Sequence, residues 1–552
     1  MSTAQERRQR ILAFTARQAY DRSLLDSGLW FHDDIRNNFY FASYLFAASV
    51  DETTEIGFDK REAMLRAETV LMNTLSLQDK DSNSATYGHW PLGLHPNPKE
   101  AKPNALPAEL MGILAVWFYR KYSAWMSEDL KAAFEDASLH LYRSGYYRLP
   151  LRRYHHHEAK YTAAKLVYGT HFQDEALLQE GKESLHLTLK RLSERGMPEY
   201  GALPWFWHWV QGFTCALECA TDETLIEPLR RILDGLWDIR ASYYVPGAWV
   251  GAHSRGLAHD LPKDGNVGFD YVQFGDFPLP ASLPRVEYAG LLYYEAPQEA
   301  FRKAVQRAEP KEIRHAVYPI GSGAEPLHNY AYIAERYAVG GMWERVKEFD
   351  NEQHRWEATL PLTGSRSVNR LYFFQPGEGY KSGDPRHQND SGGMLFHRSA
   401  VIAYYADEAA IEERNVLHGV LPKGQWIQRP TALYGYTQGV YFAVFLSSGY
   451  KLTEASDRFE VTLGGLPAGV VVEALDDREA NRMGISDLET FGSVLEQRAP
   501  LWNSLSDGLC GVEYRSLSGD LLSLKTDGRT WSLPAINGRP VDFHAYHPEA
   551  KS

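Results

Sequence analysis

The stretch "GAWVGAHSRGLAHDLP", Gly247–Pro262, stands where the chain changes character. Upstream of it, apolar residues recur at helical spacing in segments such as "PAELMGILAVWFYRKYSAWM" (Pro107–Met126) and "DETLIEPLRRILDGLWDIRASYY" (Asp222–Tyr244). Gly/Pro clusters divide these segments, and the last opens with the acidic turn that suits a helix N-terminus. Downstream, from about residue 310, short alternating or β-branched runs take over, among them "YFAVFLSSGYKLT", "RFEVTLGG" and "AGVVVEAL", which read as strands. The stretch itself gathers two histidines, an arginine and an aspartate between glycines.

A helical half followed by an all-β half predicts an α+β multidomain chain and not an interleaved sheet. The expected division is a helical domain over 1–305 and an antiparallel β-sandwich over 306–552. Helical hairpins with one apolar face each close into an α/α toroid, a bundle or a solenoid, and periodicity alone does not choose among them.

The bulk numbers bound the function. A chain of 552 residues supports more than one core, and aromatics reach 13 % with 14 Trp and 33 Tyr; such rings fill cores and also line carbohydrate sites. A net charge of −13 argues against a nucleic-acid partner, which needs a basic footprint, and an anionic substrate calls for a local basic pocket. Cys215, Cys219 and Cys510 form neither a disulfide framework nor a zinc pattern, and no cofactor motif is present. The N-terminus is basic but has no apolar h-region, and no run reaches transmembrane length. The expectation is therefore a cytoplasmic protein with no membrane partner, although a secreted chain trimmed of its leader reads the same way. Oligomeric state is not encoded in any visible pattern.

Glu199–Asp260 carries a resemblance. "EYGALPWFWHW" (Glu199–Trp209), then about fifty residues, then "GAHSRGLAHD" (Gly251–Asp260) resembles the end of the helical toroid in heparinase II/III-like polysaccharide-lyase proteins. "HNYAYIAERYAVGG" (His328–Gly341) and "EFDNEQHRW" (Glu348–Trp356) resemble the first strands of their sandwich. The resemblance spans roughly residues 85 to 410 and implies an α/α toroid joined to an antiparallel sandwich. It also implies an anionic saccharide substrate cleaved by β-elimination. One position departs: Gly201 follows the E-Y pair where the related pattern often has asparagine.

β-Elimination needs a base for the proton α to a carboxylate, a group that stabilises the resulting anion, and an acid for the leaving oxygen. Tyr200 and His253 supply base or acid, while Arg255 and His89 hold the carboxylate. Trp205 and Glu199 lie beside them, and His328 or Tyr330 approaches from the sandwich. Helix capping and an Arg255–Asp260 ion pair are the plainer roles for the same residues.

The loop "SATYGHWPLGLHPNPKEAKPNALPAEL" (Ser84–Leu110) adds Trp90 and Asn104 as sugar contacts beside His89, because long loops in compact domains tend to carry function. "YYRLPLRRYHHHEAKYT" (Tyr146–Thr162), with Arg148, Arg152, Arg153 and His155–His157, is the densest cationic run. It forms either the basic pocket or a solvated helix start, and no metal is expected there. A glycoside hydrolase on the same scaffold is the first alternative, pairing Asp33 or Asp34 with Glu199 or Asp260. A non-catalytic saccharide-binding protein is the second.

Overall fold

The computed structural model describes residues 2–257, 261–283, 285–307, 309–319, 325–384, 386–405, 414–504, 510–527 and 531–547. Asp260, a candidate carboxylate, lies outside them.

Helices dominate the first half: α1 (Ala4–Tyr20), α2 (Ile35–Val50), α3 (Lys60–Ser76), α4 (Ala105–Tyr122), α5 (Glu128–Ser144), α6 (His156–Phe172), α7 (Glu175–Arg195), α8 (Leu203–Cys219), α9 (Glu223–Ser242), α10 (Gly268–Gln273) and α11 (Gln298–Val305). Most begin at a side chain that accepts a backbone N–H, as Asp34, Asn104, Asp174 and Asp222 do for α2, α4, α7 and α9, satisfying donors the helix leaves open. Their composition then sorts them into two rings. α2, α4, α6 and α8 are buried on most sides, α6 with several polar side chains among them, whereas the odd-numbered ones bury one stripe; α8 buries 14 of its 17 residues and α7 only 5 of 21. A helix apolar on every side has to be enclosed. So α2, α4, α6 and α8 pack side by side as an inner wall, and α1, α3, α5, α7 and α9 surround them.

The wall does not close on itself directly. The segment after α10 fills the gap between α2 and α8, where Tyr288 N–H donates to Gln211 Oε1 (3.0 Å), its hydroxyl to Ser43 Oγ (2.7 Å), and Gly290 N–H to Tyr44 (2.8 Å). The result is an incomplete α/α toroid. Trp207, Trp209 and Trp249 are buried within it, each removing about 150–250 Å² of surface from water, roughly 4–6 kcal/mol at about 25 cal/mol/Å².

Two-residue ribbons β1 (Trp90–Pro91) with β2 (Pro103–Asn104), and β3 (Tyr244–Val245) with β4 (Ala248–Trp249), pin loops of this half. The second half is antiparallel throughout its described pairings. Its strands are β5 (Lys311–Val317), β6 (Leu327–Ile333), β7 (Ala338–Met342), β8 (Trp356–Thr359), β9 (Arg370–Phe374), β10 (Gly393–His397), β11 (Ala400–Tyr405), β12 (Val416–Pro422), β13 (Gln425–Arg429), β14 (Ala432–Thr437), β15 (Val440–Leu446), β16 (Lys451–Glu454), β17 (Arg458–Gly464) and β18 (Ala468–Asp476). An eight-stranded sheet, β16-β17-β12-β9-β8-β7-β6-β5, faces a six-stranded one, β10-β11-β18-β15-β14-β13, and their inner side chains share one core. β18, the run "AGVVVEALD", is buried on both faces, as a central strand with such a continuous apolar sequence should be. Helices α12 (Asp477–Arg482) and α13 (Leu488–Glu496) and a smaller sheet of β19 (Leu501–Ser504), β20 (Cys510–Arg515), β21 (Leu521–Thr526), β22 (Ala535–Ile536) and β23 (Arg539–Pro540) complete the chain. No described helix is long and apolar enough to cross a membrane.

Candidate active site

The inner helices run the same way, so the loops before α2, α4, α6 and α8 and the α9–α10 loop gather on one rim. A cavity of about 830 Å³ opens there. His89 comes to it from the loop before α4, Glu109 from the first turns of α4, Arg143 from the end of α5, Tyr146 from the α5–α6 loop and Tyr161 from α6.

Glu109 organises this group. His157, Lys160 and Tyr161 sit at i, i+3 and i+4 on the start of α6, hence on one face, and all three reach its carboxylate: His157 Nδ1 at 2.6 Å, Lys160 Nζ at 2.7 Å and the Tyr161 hydroxyl at 2.6 Å. Burial opposes its ionisation, but Lys160 and His157 outweigh burial and hold the Glu109 carboxyl well below the usual carboxylate range. Burial, then the Glu109 charge, keeps the Tyr161 phenol protonated by raising its pKa. The Tyr146 hydroxyl donates to Ala108 O (3.0 Å), and burial raises it as well. His89 meets the Tyr146 ring edge-on at 5.9 Å, and burial lowers its pKa, so that it is neutral at neutral pH.

Next along the rim, His156 and Glu199 form a buried pair: Glu199 accepts the His156 backbone N–H and faces its Nδ1, both at 2.7 Å. Burial pushes Glu199 up to about 7 against the pull of that N–H and of Arg255, and burial drives His156 down; both groups are pressed toward their neutral forms. The Arg255 guanidinium lies between the rings of Trp205 (4.6 Å) and Phe349 (4.1 Å). Among the described residues its nearest carboxylate oxygen, on Glu352, is 3.8 Å away, and its side chain keeps 20 % exposure. Phe349 belongs to the β7–β8 connection, where Phe349, Asp350 and Asn351 have φ of 46°, 62° and 67°, three left-handed residues in succession. The same connection sends Glu348 to accept from the Tyr200 hydroxyl (2.8 Å), which in turn accepts from Gln353 Nε2 (2.6 Å).

The residues expected from sequence are thus distributed among different environments. His89 borders the cavity, and Glu199, Trp205 and Arg255 cluster beside one another on the rim. Tyr200 is 4 % exposed, with its hydroxyl saturated by Glu348 and Gln353. His253 is sealed. Its Nδ1 contacts Gly201 O, its backbone pairs with His354 in both directions (2.9 and 2.8 Å), and its Nε2 faces Glu357 Oε2 at 3.6 Å. Dry packing of this kind denies His253 the substrate contact expected of a base or acid, because water and ligand are equally excluded from it. Trp90 is fully buried under the loop and shows no face to a sugar. Asn104 is the N-cap of α4, its side chain accepting from Leu106 N–H (2.9 Å). His328 is bonded to Glu344 (2.6 Å) under Phe543 and Tyr546, and Tyr330 to Glu312 (3.1 Å); these two stay on the sandwich and do not join the cavity lining. Asp34, considered for a carboxylate pair, caps α2 and pairs with Arg36 (2.6 Å).

Gly201 has a local explanation. Its φ is +70°, and a Cβ there would stand 2.2 Å from Ala252 O, so the close approach of the two loops excludes asparagine. Sequence reasoning missed Glu109, Lys160, Tyr161, Tyr146 and Arg143. The signal available was the H-x-x-K-Y spacing of His157–Tyr161, which puts three polar groups on one face of an otherwise enclosed helix.

No family model matches the chain, and no curated protein matches it. Among solved structures the chain is similar to a chondroitinase AC lyase described in complex with oligosaccharides, at 10 % identity over 94 % of this chain and 88 % of that one, with a TM-score of 0.45. It is also similar to the heparan sulfate lyase HepC from Pedobacter heparinus, at 10 % identity over 92 % of this chain and 85 % of that one, with a TM-score of 0.34.

Proposed function

We propose that the protein is a polysaccharide lyase that cleaves a uronate-containing saccharide by β-elimination in the cavity between His89, Tyr146 and Tyr161. One observation carries this reading. Among the described residues that line the cavity, Glu109 is the only carboxylate, and it is already occupied by three donors. A glycosidase needs two carboxyl groups free to act across a glycosidic bond; elimination needs a neutral base, a protonated acid and a cation, which His89, Tyr161 and Arg143 are.

In this reading Arg143 holds the uronate carboxylate and spreads the charge that develops on it. His89 takes the proton from the adjacent carbon. The electron pair forms the carbon–carbon double bond as the bond to the leaving oxygen breaks, and Tyr161 turns from Glu109 to protonate that oxygen. Lys160 and His157, both on Glu109, offset the charge left on the phenol. Arg255, flanked by two rings, binds a neighbouring acidic unit along the rim.

Incubation with a panel of uronate oligosaccharides tests the assignment. The expected result is an unsaturated product absorbing in the ultraviolet, lost in Tyr161→Phe and His89→Ala proteins that remain folded. New reducing ends without that absorbance would overturn it in favour of hydrolysis.

A further inference from the structure

A second cavity, of about 410 Å³, lies between the toroid and the first sheet, enclosed by the C-terminal ends of α7 and α9, the β3–β4 ribbon and strand β5. It shares no lining residue with the cavity around Glu109, and the proposed elimination does not use it. Its wall is mainly apolar. The Tyr243 and Trp249 rings lie nearly parallel, 5.5 Å apart and 8° from coplanar, and Met197, Ile239, Ile313 and Val317 complete the lining.

Two features separate this space from a packing defect. The wall is not self-satisfied: the Tyr243 hydroxyl, the Trp249 indole nitrogen and Asn329 Oδ1 are buried without a hydrogen-bond partner, an arrangement native proteins avoid unless something else supplies the partner. The mouth also holds two guanidiniums, of which Arg314 pairs with Glu312 (2.8 Å). Arg195 leans over the Tyr318 ring at 5.6 Å and makes no ion pair among the described residues. Among the described residues, nearby Arg191 donates only to the carbonyls of Gly196 (3.5 Å) and Tyr318 (3.3 Å). The acidic side chains at this rim are engaged elsewhere, Asp238 with Lys303, Glu194 with Lys190 (4.0 Å) and Glu199 with His156 (2.7 Å).

The geometry points to a binding site for a small carbon-rich monoanion, an aromatic carboxylate, with its ring against Tyr243 and Trp249 and its carboxylate on Arg195. Flat apolar walls with a few polar groups at one end are the usual make-up of a small-molecule pocket, and a guanidinium grips a carboxylate through paired donors. Stacking on the existing aromatic pair favours a planar ring over a bulky sugar.

Titration calorimetry of the full chain with phenylacetate and with neutral phenylacetamide tests this without reference to turnover. Phenylacetate is expected to saturate at one site and to bind at least about tenfold more tightly than the amide, a difference of about 1.4 kcal/mol. Arg195→Gln should remove that preference and leave the amide unaffected. Ile313→Trp, which fills the cavity, should abolish binding of both while the urea midpoint stays that of a folded protein. Absence of saturable binding to the native chain overturns the site, as does binding indifferent to both substitutions. Sensitivity to Arg143→Gln in place of Arg195→Gln would move the anion to the first cavity and overturn it equally.

Discussion

Two polar clusters, each drawing histidine and a basic side chain onto a buried glutamate, have opposite surroundings. Around Glu109, an imidazole, an ammonium and a phenol converge beside an open cavity, and the His157 side chain keeps 29 % exposure. Around Glu357, His253, His354, Arg370 and Asp264 converge, and all five side chains are exposed by 1 % or less. Here His253 and His354 Nε2 face Glu357 Oε2 at 3.6 and 3.2 Å, and Arg370 bridges Glu357, Asp264 and the Trp249 carbonyl (3.2 Å). The first cluster can meet a ligand; the second ties the last loop of the toroid to β8 and β9 of the sandwich. Access, and not residue type, separates chemistry from architecture in this chain.

Substitutions can sharpen or break that contrast, and the largest effect is expected in the sealed cluster. Arg370→Met strands two buried carboxylates and should cost about 3–5 kcal/mol, seen as a collapse of the urea midpoint; a native-like midpoint would mean that the cluster holds nothing together. Glu199, between the clusters, gives a pH signature. Its folded pKa of about 7 exceeds the unfolded value of about 4.3, so the stability it contributes is fully present below about 4.3 and is lost as pH rises through about 7. Glu199→Gln should remove up to about 4 kcal/mol of this decline, measured by urea unfolding at a series of pH values; an unchanged profile would refute the raised pKa.

Tyr161→Phe should lower kcat about 100-fold, or about 2.7 kcal/mol, while stability moves by about 1 kcal/mol at most. His253→Asn reverses the pattern, with about 1–2 kcal/mol of stability lost and the turnover of the folded fraction retained; a collapse of kcat with a native midpoint would restore His253 to the chemistry. The smallest effect belongs to Arg153→Ala, whose side chain is exposed. It should change stability by no more than about 0.5 kcal/mol and read out only as a weaker dependence of KM on salt.

The toroid-then-sandwich order was legible because enclosed helices and central strands announce themselves through periodicity, as α8 and β18 do. The resemblance, and not the periodicity, chose a toroid over a bundle. Among the site residues, Arg255, Trp205 and Glu199 were visible as neighbours within their motifs. What sequence could not show was depth. "GAHSR" reads identically whether His253 faces solvent or, as here, is closed over by His354 from a hundred residues away. Nor did anything before Glu109 mark it as the carboxylate that three residues of another helix would choose.

The run of left-handed residues from Phe349 to Asn351 has a dynamic consequence. Such a conformation costs roughly 1–2 kcal/mol per residue outside glycine, and the contacts of Glu348 with Tyr200, Phe349 with Arg255 and Glu352 with Arg386 (3.1 Å) keep it in place. This strap therefore opens at a smaller free energy than the strands on either side of it, exchanging its amide hydrogens first. A ligand that displaced Phe349 from Arg255 would lift it; one that bound the free edge of the guanidinium would fasten it.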